Sequence, residues 1–257
     1  MNSASTAAPR PVSPKQNSEA RLRLYCFPYA GAGASVFREW APALPAAIEV
    51  IPVQLPGRES RIRETPLTSL RLLVDTLIAE ITDLNTPFAF FGHSMGALVS
   101  FELARKLRED GKRTPVHLFV SGRRAPTIRD EVAPLHKSDD RTLLEKLREL
   151  NGTPEEVFQY PELVGFWLRI IRADLEACET YVYSDAVPLE CPITVFGGLD
   201  DAHVSRDEMV PWGDQTRGVF SLHMLPGDHF FLHSSREILL HTIVRNLSEA
   251  MVLEGSS

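Results

Sequence analysis

Gly92-His93-Ser94-Met95-Gly96 sets one serine between two glycines, directly after the apolar run Phe88-Ala89-Phe90-Phe91 and directly before a helical pattern. Strand, sharp turn, helix is the setting that lifts a serine out of a sheet to act as a nucleophile. The turn crowds the chain on both sides, and glycine tolerates that crowding best. Ser94 would stand at a helix N-terminus, where free N–H groups and the helix dipole favour negative charge developing on a substrate oxygen. Such a serine needs a base, and the base needs an acid. Of the eight histidines, His229 lies in the glycine turn Pro226-Gly227-Asp228-His229 after the last expected strand. There its neutral imidazole would take the serine proton and later return one. His93, beside the nucleophile, is expected to point away along the strand and pack the turn. For the acid two aspartates compete in the loop from Gly197 to Val204. Asp201, three residues after Gly198 and three before Val204, is favoured over Asp200. The other aspartate is expected to cap the turn or the short helix starting near Ser205.

The elements that must position these residues follow in order. Leu22 to Phe27 reads as a strand ending at Pro28, followed by the small-residue loop Tyr29-Ala30-Gly31-Ala32-Gly33-Ala34-Ser35 and a helix carrying Val36, Phe37 and Trp40. The loop has neither a Lys-Ser/Thr ending nor a G-x-G-x-x-G spacing, so a backbone N–H approaching a substrate oxygen is a better reading than phosphate binding. Ile48 to Val53 is the next strand; the loop after it carries Arg58, Arg61 and Arg63. Thr65-Pro66 reads as the start of a helix bearing Leu70, Val74, Leu77, Ile81 and Leu84. A helix from Met95 closes at Gly111. Val116 to Ser121, Pro192 to Phe196 and Val219 to Leu225 complete the strands, and a C-terminal helix carries Ile238, Leu239, Ile243 and Leu247. Short apolar strands alternating with helices predict an α/β fold, a mostly parallel sheet covered on both faces, with the site at the strand ends.

Between about 125 and 189 the rhythm changes to helical patterns. Leu143, Leu144, Leu147 and Leu150 form one stripe, and Thr153-Pro154-Glu155-Glu156 reads as a capping box. Leu163, Phe166, Trp167, Ile170, Ile171, Leu175 and Cys178 form a longer one. Such an insertion is expected to lie as a helical lid over the strand ends. Its aromatic residues Phe166 and Trp167 either line an acyl pocket or pack the lid on the sheet.

The bulk properties narrow the class. The chain has 257 residues, 44% of them hydrophobic and 24% charged, which suits one α/β domain at 21–252 behind a flexible tail at 1–20. A formal net charge of -7 argues against nucleic acid or an anionic membrane as partner. Cys26, Cys178 and Cys191 are too few and scattered for a disulfide framework or metal ligation, and read as buried thiols of a cytoplasmic protein. Signal peptide and membrane span are absent from the pattern, no cofactor or metal is expected, and a monomer is the default.

From about 22 to 250 the chain resembles the type II thioesterases that serve polyketide and nonribosomal peptide synthases, within the α/β-hydrolase superfamily. The resemblance rests on Cys26-Phe27-Pro28-Tyr29-Ala30-Gly31, Gln54-Leu55-Pro56-Gly57-Arg58-Glu59, Gly92-His93-Ser94-Met95-Gly96, Ser121-Gly122-Arg123-Arg124-Ala125-Pro126, the loop from Gly198 to Val204, and Gly227-Asp228-His229-Phe230-Phe231. It implies a Ser94, Asp201, His229 triad and an oxyanion hole made by the Ala30 and Met95 amides. It also implies a lid over an acyl chamber, with Tyr29, Phe166 and Trp167 as substrate contacts. The implied substrate is an acyl group on the phosphopantetheine arm of a carrier protein. Carrier proteins are generally acidic, which gives Arg58, Arg61, Arg63, Arg123 and Arg124 a possible partner; a solvated surface role is the alternative for each. An acyltransferase or carboxylesterase on the same triad, and a non-catalytic interaction protein on a hydrolase fold, are the other readings.

Overall fold

A computed structural model of the chain describes residues 19–81, 84–129, 133–149 and 161–254, with backbone alone at 161–163 and 253–254. Six strands form its centre: β1 (Leu22–Phe27), β2 (Ile48–Pro52), β3 (Phe88–His93), β4 (Leu118–Ser121), β5 (Ile193–Gly198) and β6 (Phe220–Leu225). They pair in the order β2-β1-β3-β4-β5-β6, every neighbour parallel. The register sets Cys26 opposite Phe91 and Ser121 opposite His93 and Phe196. The chain runs outward from β1 to β2 and returns across β1 to β3. Loops leaving β1 and β3 therefore diverge at their C-terminal ends, which is where open parallel sheets leave a crevice.

Both faces of the sheet are covered, so its strands are apolar at most positions and side chains sort by parity. In β1, Tyr25 and Phe27 enter the core on one side and Leu22, Leu24 and Cys26 the other. In β3, Phe88 and Phe90 oppose Ala89 and Phe91 in the same way. The first face is closed by α1 (Leu70–Glu80) and α2 (Met95–Glu109). The second is closed by the C-terminal α7 (Arg236–Glu254), through Leu239, Ile243 and Leu247, and by Phe37 and Trp40.

Between β4 and β5 the described chain holds two helices of eight residues or more, α3 (Asp140–Glu149) and α4 (Pro161–Glu179). Leu143 and Leu147 of α3 meet Leu168 and Ile171 of α4 in a small third cluster separate from the sheet cores. Ala177, near the end of α4, belongs instead to the core of the first face. After β5 comes the short α5 (Arg206–Met209), capped by Ser205 in a reciprocal box with Glu208. After β6, α6 (Phe231–Ser234) precedes α7.

Some boundaries differ from the sequence expectation. The helix anticipated at Thr65-Pro66 begins only at Leu70, because Pro66 lies against Gly57 and the chain stays extended to Ser69. The helix expected around Val36, Phe37 and Trp40 is a single 3-10 turn, Ala34–Phe37, with Trp40 beyond it. Asp200 is exposed, and Ser205, not Asp200, caps α5. Cys178 is half-buried rather than buried. The tail up to 18, Leu150 and the capping box at 153–156 lie outside the described residues, as does the side chain of Leu163.

Candidate active site

β3 delivers Ser94 in a backbone conformation that only a tightly held turn sustains: φ is 52° and ψ -111°. Positive φ in a residue with a Cβ is strained, of order 1–3 kcal/mol. The surroundings impose it. A Cβ on Gly92 would stand 2.1 Å from the Gly96 carbonyl oxygen, and one on Gly96 would stand 2.1 Å from the Phe27 carbonyl oxygen at the end of β1. With both glycines bare, α2 starts hard against β1 and β3. The Ser94 amide donates to the Ser121 carbonyl at 2.7 Å, which ties the turn to β4.

His229 arrives on the loop after β6 and Asp201 on the loop after β5. His229 Nδ1 lies 2.7 Å from Asp201 Oδ2, whose side chain is 0% exposed. The other carboxylate oxygen accepts the amides of His203 at 2.8 Å and Val204 at 3.2 Å, so the acid closes its own loop while holding the histidine. Burial alone would raise the Asp201 carboxyl. The hydrogen bond and charge of His229, with the two amides, outweigh it and leave the carboxyl below its usual range. A carboxylate fixed on Nδ1 leaves Nε2 free to accept a proton.

His93 is fully buried, its Nδ1 2.8 Å from Ser121 Oγ. Its ring sits 5.2 Å from that of His229 and against Tyr29 and Phe231. Burial first, then the nearby His229 and His233, push its pKa well below the ordinary histidine value. It is a neutral packing piece behind the base.

Tyr29 and Ala30 follow β1. Tyr29 O accepts the Ala32 amide at 3.1 Å, and Gly31 has φ +80°, the signature of a type II turn with Ala30 and Gly31 at its centre. Among the described residues, the backbone hydrogen bonds of the loops and helix starts leave the Ala30 and Met95 N–H groups without an acceptor. Ser94, His229, Tyr29, Ala30 and Trp167 line one cavity of about 730 Å³, together with Leu135, Leu147 and Ile171.

Phe166 is elsewhere. It lines a separate depression of about 190 Å³ with Arg63, Pro66 and Arg169, because adjacent positions on α4 face about 100° apart and only Trp167 turns to the cavity. The arginines also divide. Arg58 is buried and pairs bidentately with Asp174 at 2.6 and 2.7 Å. Arg61 is taken up by Glu64, Glu80 and the Gln54 carbonyl. Neither is available to a partner as the sequence reading allowed. Arg63 is exposed, while Arg123 and Arg124 are half-buried at the cavity.

Three side chains that the sequence reading passed over hold the loop after β1. Asp174 accepts the Gly31 amide at 2.7 Å, Glu59 accepts from the Ser35 hydroxyl at 2.5 Å, and Gln54 accepts the Ala34 amide at 3.1 Å. Asp174 carried a legible signal, a carboxylate within an apolar helical stripe, which a buried face admits only with a partner. Among the described residues no group of three His, Cys, Asp or Glu side chains is placed to hold a metal ion.

The thioesterase domain profile matches residues 22–247, from the first strand into the last helix. The chain belongs to the thioesterase domain family. It is similar to the gramicidin S biosynthesis protein GrsT of Aneurinibacillus migulanus, 48% identical over 237 residues that cover 92% of this chain and 93% of that one. Among solved structures it resembles RedJ, the thioesterase from the prodiginine biosynthetic pathway in Streptomyces coelicolor, with a TM-score of 0.82 and 40% identity over 92% of this chain and 91% of that one. The type II thioesterase BorB from the borrelidin biosynthetic cluster superposes with a TM-score of 0.80 at 37% identity, covering 94% and 96% of the two chains. This thioesterase is thus a thioester-hydrolysing enzyme on the α/β-hydrolase fold, of the type II class. Its six parallel strands and the helices on both faces are the frame its neighbours share.

Proposed function

We propose that this thioesterase removes acyl groups from the phosphopantetheine arms of carrier proteins in nonribosomal peptide or polyketide synthesis, with Ser94 as nucleophile, His229 as base and Asp201 as acid. The observation that carries the roles is the 2.7 Å contact between His229 Nδ1 and the fully buried Asp201 carboxylate, with His229 lining the same cavity as Ser94. The origin of similar proteins in the colibactin and yersiniabactin NRPS/PKS pathways supports the substrate class.

The chemistry runs in two halves. Ser94 Oγ attacks the thioester carbonyl as His229 Nε2 takes its proton, and the Ala30 and Met95 amides hold the resulting oxyanion. The C–S bond breaks, His229 returns the proton to the departing thiolate, and the acyl group stays on Ser94. Water then attacks the acyl-serine, giving its proton to His229, and the carboxylic acid leaves as Ser94 is reprotonated. Asp201 keeps His229 in the tautomer that exposes Nε2 and stabilises the cation formed twice in the cycle. Tyr29 and Trp167 border the acyl chain.

In this reading a single 21–252 domain with its lid acts as a cytoplasmic monomer, to which the three free cysteines are suited. Incubating the enzyme with acyl-loaded carrier protein and with a matched oxygen ester, and following acyl loss by intact mass, tests it. Thioester loss is expected, abolished in Ser94→Ala. Preference for the oxygen ester makes the enzyme a carboxylesterase, and undiminished loss in Ser94→Ala removes the serine mechanism.

A further inference from the structure

The turn that carries Ala30 is held from below by two charges that take no part in the triad. Asp174, with a side chain 0% exposed, and Arg58, 4% exposed, form a pair far from solvent in sequence-remote elements. An ion pair buried this deeply gains little stability over apolar residues of the same size, so its worth lies in what else it binds. Asp174 Oδ2 accepts the Gly31 amide at 2.7 Å, and Arg58 Nη1 donates to the Ala32 carbonyl at 3.1 Å. Arg58 Nε is itself anchored on the Pro56 carbonyl at 3.3 Å.

These contacts fix peptide planes. The Tyr29 carbonyl accepts the Ala32 amide, so in that trans peptide the Ala30 N–H points the opposite way, out of the turn. The central peptide, between Ala30 and Gly31, is the one that flips between type I and type II turns. Asp174 holds the N–H of that peptide in the orientation seen with Gly31 at φ +80°. Trp167, Ile171 and Asp174 share one stripe of α4, and the first two press on the same glycine: a Cβ there would lie 2.8 Å from Ile171 Cδ1 and 3.1 Å from Trp167 Nε1.

We propose that the buried Arg58–Asp174 pair is the positioning element of the oxyanion hole: Asp174 holds the Gly31 amide and Arg58 the Ala32 carbonyl, which keeps closed the Tyr29–Ala32 turn from which the Ala30 amide faces the carbonyl attacked by Ser94. The inference rests on the proposed serine mechanism and adds to it that α4 is a fixed part of the catalytic apparatus. Neither charge touches substrate; both act through the turn.

The double variant Arg58→Met/Asp174→Leu replaces the pair by apolar side chains of similar size, and Asp174→Asn keeps an oxygen for the Gly31 amide while removing the charge. Thermal midpoint, kcat and KM are measured with the butyryl thioester of N-acetylcysteamine, along with the inhibition constant of a trifluoromethyl ketone that adds to the serine as a tetrahedral oxyanion. The double variant is expected to lose about 100-fold in kcat with KM within about threefold, and the ketone to bind weaker by the same factor as kcat falls. Asp174→Asn is expected to lose less, roughly tenfold. A structural role alone would lower the thermal midpoint and the active fraction but leave the ketone's inhibition constant at the wild-type value. That outcome in the double variant, or in Asp174→Asn where the double variant shows no cooperative melting, overturns the proposal. Wild-type turnover that is abolished in Ser94→Ala while the Arg58 and Asp174 variants behave as wild type sinks this inference alone. Turnover that survives in Ser94→Ala sinks the serine mechanism with it.

Discussion

Two adjacent aspartates, identical in chemistry, end up in opposite environments. Asp201 is buried against His229 and two amides, while Asp200 is exposed and its amide is spent on the Gly227 carbonyl. Asp201→Asn is therefore expected to lower kcat by roughly 10⁴-fold, because an amide on Nδ1 permits the wrong tautomer, whereas Asp200→Asn stays within about threefold of wild type. Equal losses in the two variants, measured on one thioester, would reverse the assignment. The spacing of Asp201 from Gly198 and Val204 made this legible in the chain, since Gly198 packs on the Asp228 carbonyl beside the histidine and the Val204 amide bonds back to the acid. Arg58 was not legible. In a loop with three arginines it looks like surface, and its partner lies 116 residues away. Only the carboxylate at Asp174, out of place on an apolar stripe, marks the far end of that contact.

At the level of elements, the strands were readable because a sheet buried on both faces demands mostly apolar runs, which loops do not supply. Starts of helices were less so, since Pro66 answers to Gly57 rather than to the helix. The same burial has a pH consequence. His117, just before β4, stacks on Phe119 with ring centroids 4.2 Å apart and meets Thr194 Oγ1 at 2.9 Å. Desolvation lowers its pKa from 6.5 to about 4. The unfolded chain thus binds a proton between pH 6.5 and about 4 that the folded chain refuses. Stability from this group is complete above 6.5 and falls with pH through that window, by about 3 kcal/mol in all. His93, His223 and His233, also lowered, act in the same direction. Asp201, held below 3.8, contributes above that pH and is lost only beneath it, outside the window. The thermal midpoint is expected to drop as pH is lowered from 6.5 towards 4, and His117→Phe, which keeps the ring stack, to flatten that slope. An unchanged slope in the variant would place the loss in other groups.

For the molecule as a whole, the proposed function requires a net charge of -7 to coexist with an acidic carrier. With Arg58 and Arg61 occupied internally and Arg124 engaged by Glu208 and the His203 carbonyl, the burden of contact passes to Arg63 and Arg123. Arg123→Glu is expected to lower kcat/KM for an acyl-carrier substrate roughly tenfold more than for the butyryl N-acetylcysteamine thioester. Equal losses on the two substrates would mean that the residue serves the cavity and not the carrier. The enclosing insertion is less uniform than a single lid. Among the described residues, α3 rests on the small cluster of Leu143, Leu147, Leu168 and Ile171 and on the ion pair of Asp140 with Arg172, whereas the later turns of α4 are fastened through Asp174 and through Ala177 in the sheet core. Local opening follows buried contact, so the two helices are expected to behave as different cooperative units. Hydrogen exchange read by mass spectrometry should show α3 amides exchanging well before those of 171–178, and matched rates would refute the division. With that division, one wall of the proposed acyl chamber breathes and the other does not. Acyl chains that outgrow it are then expected to be accommodated on the α3 side, and chain-length preference to be retuned at Leu147 rather than at Trp167.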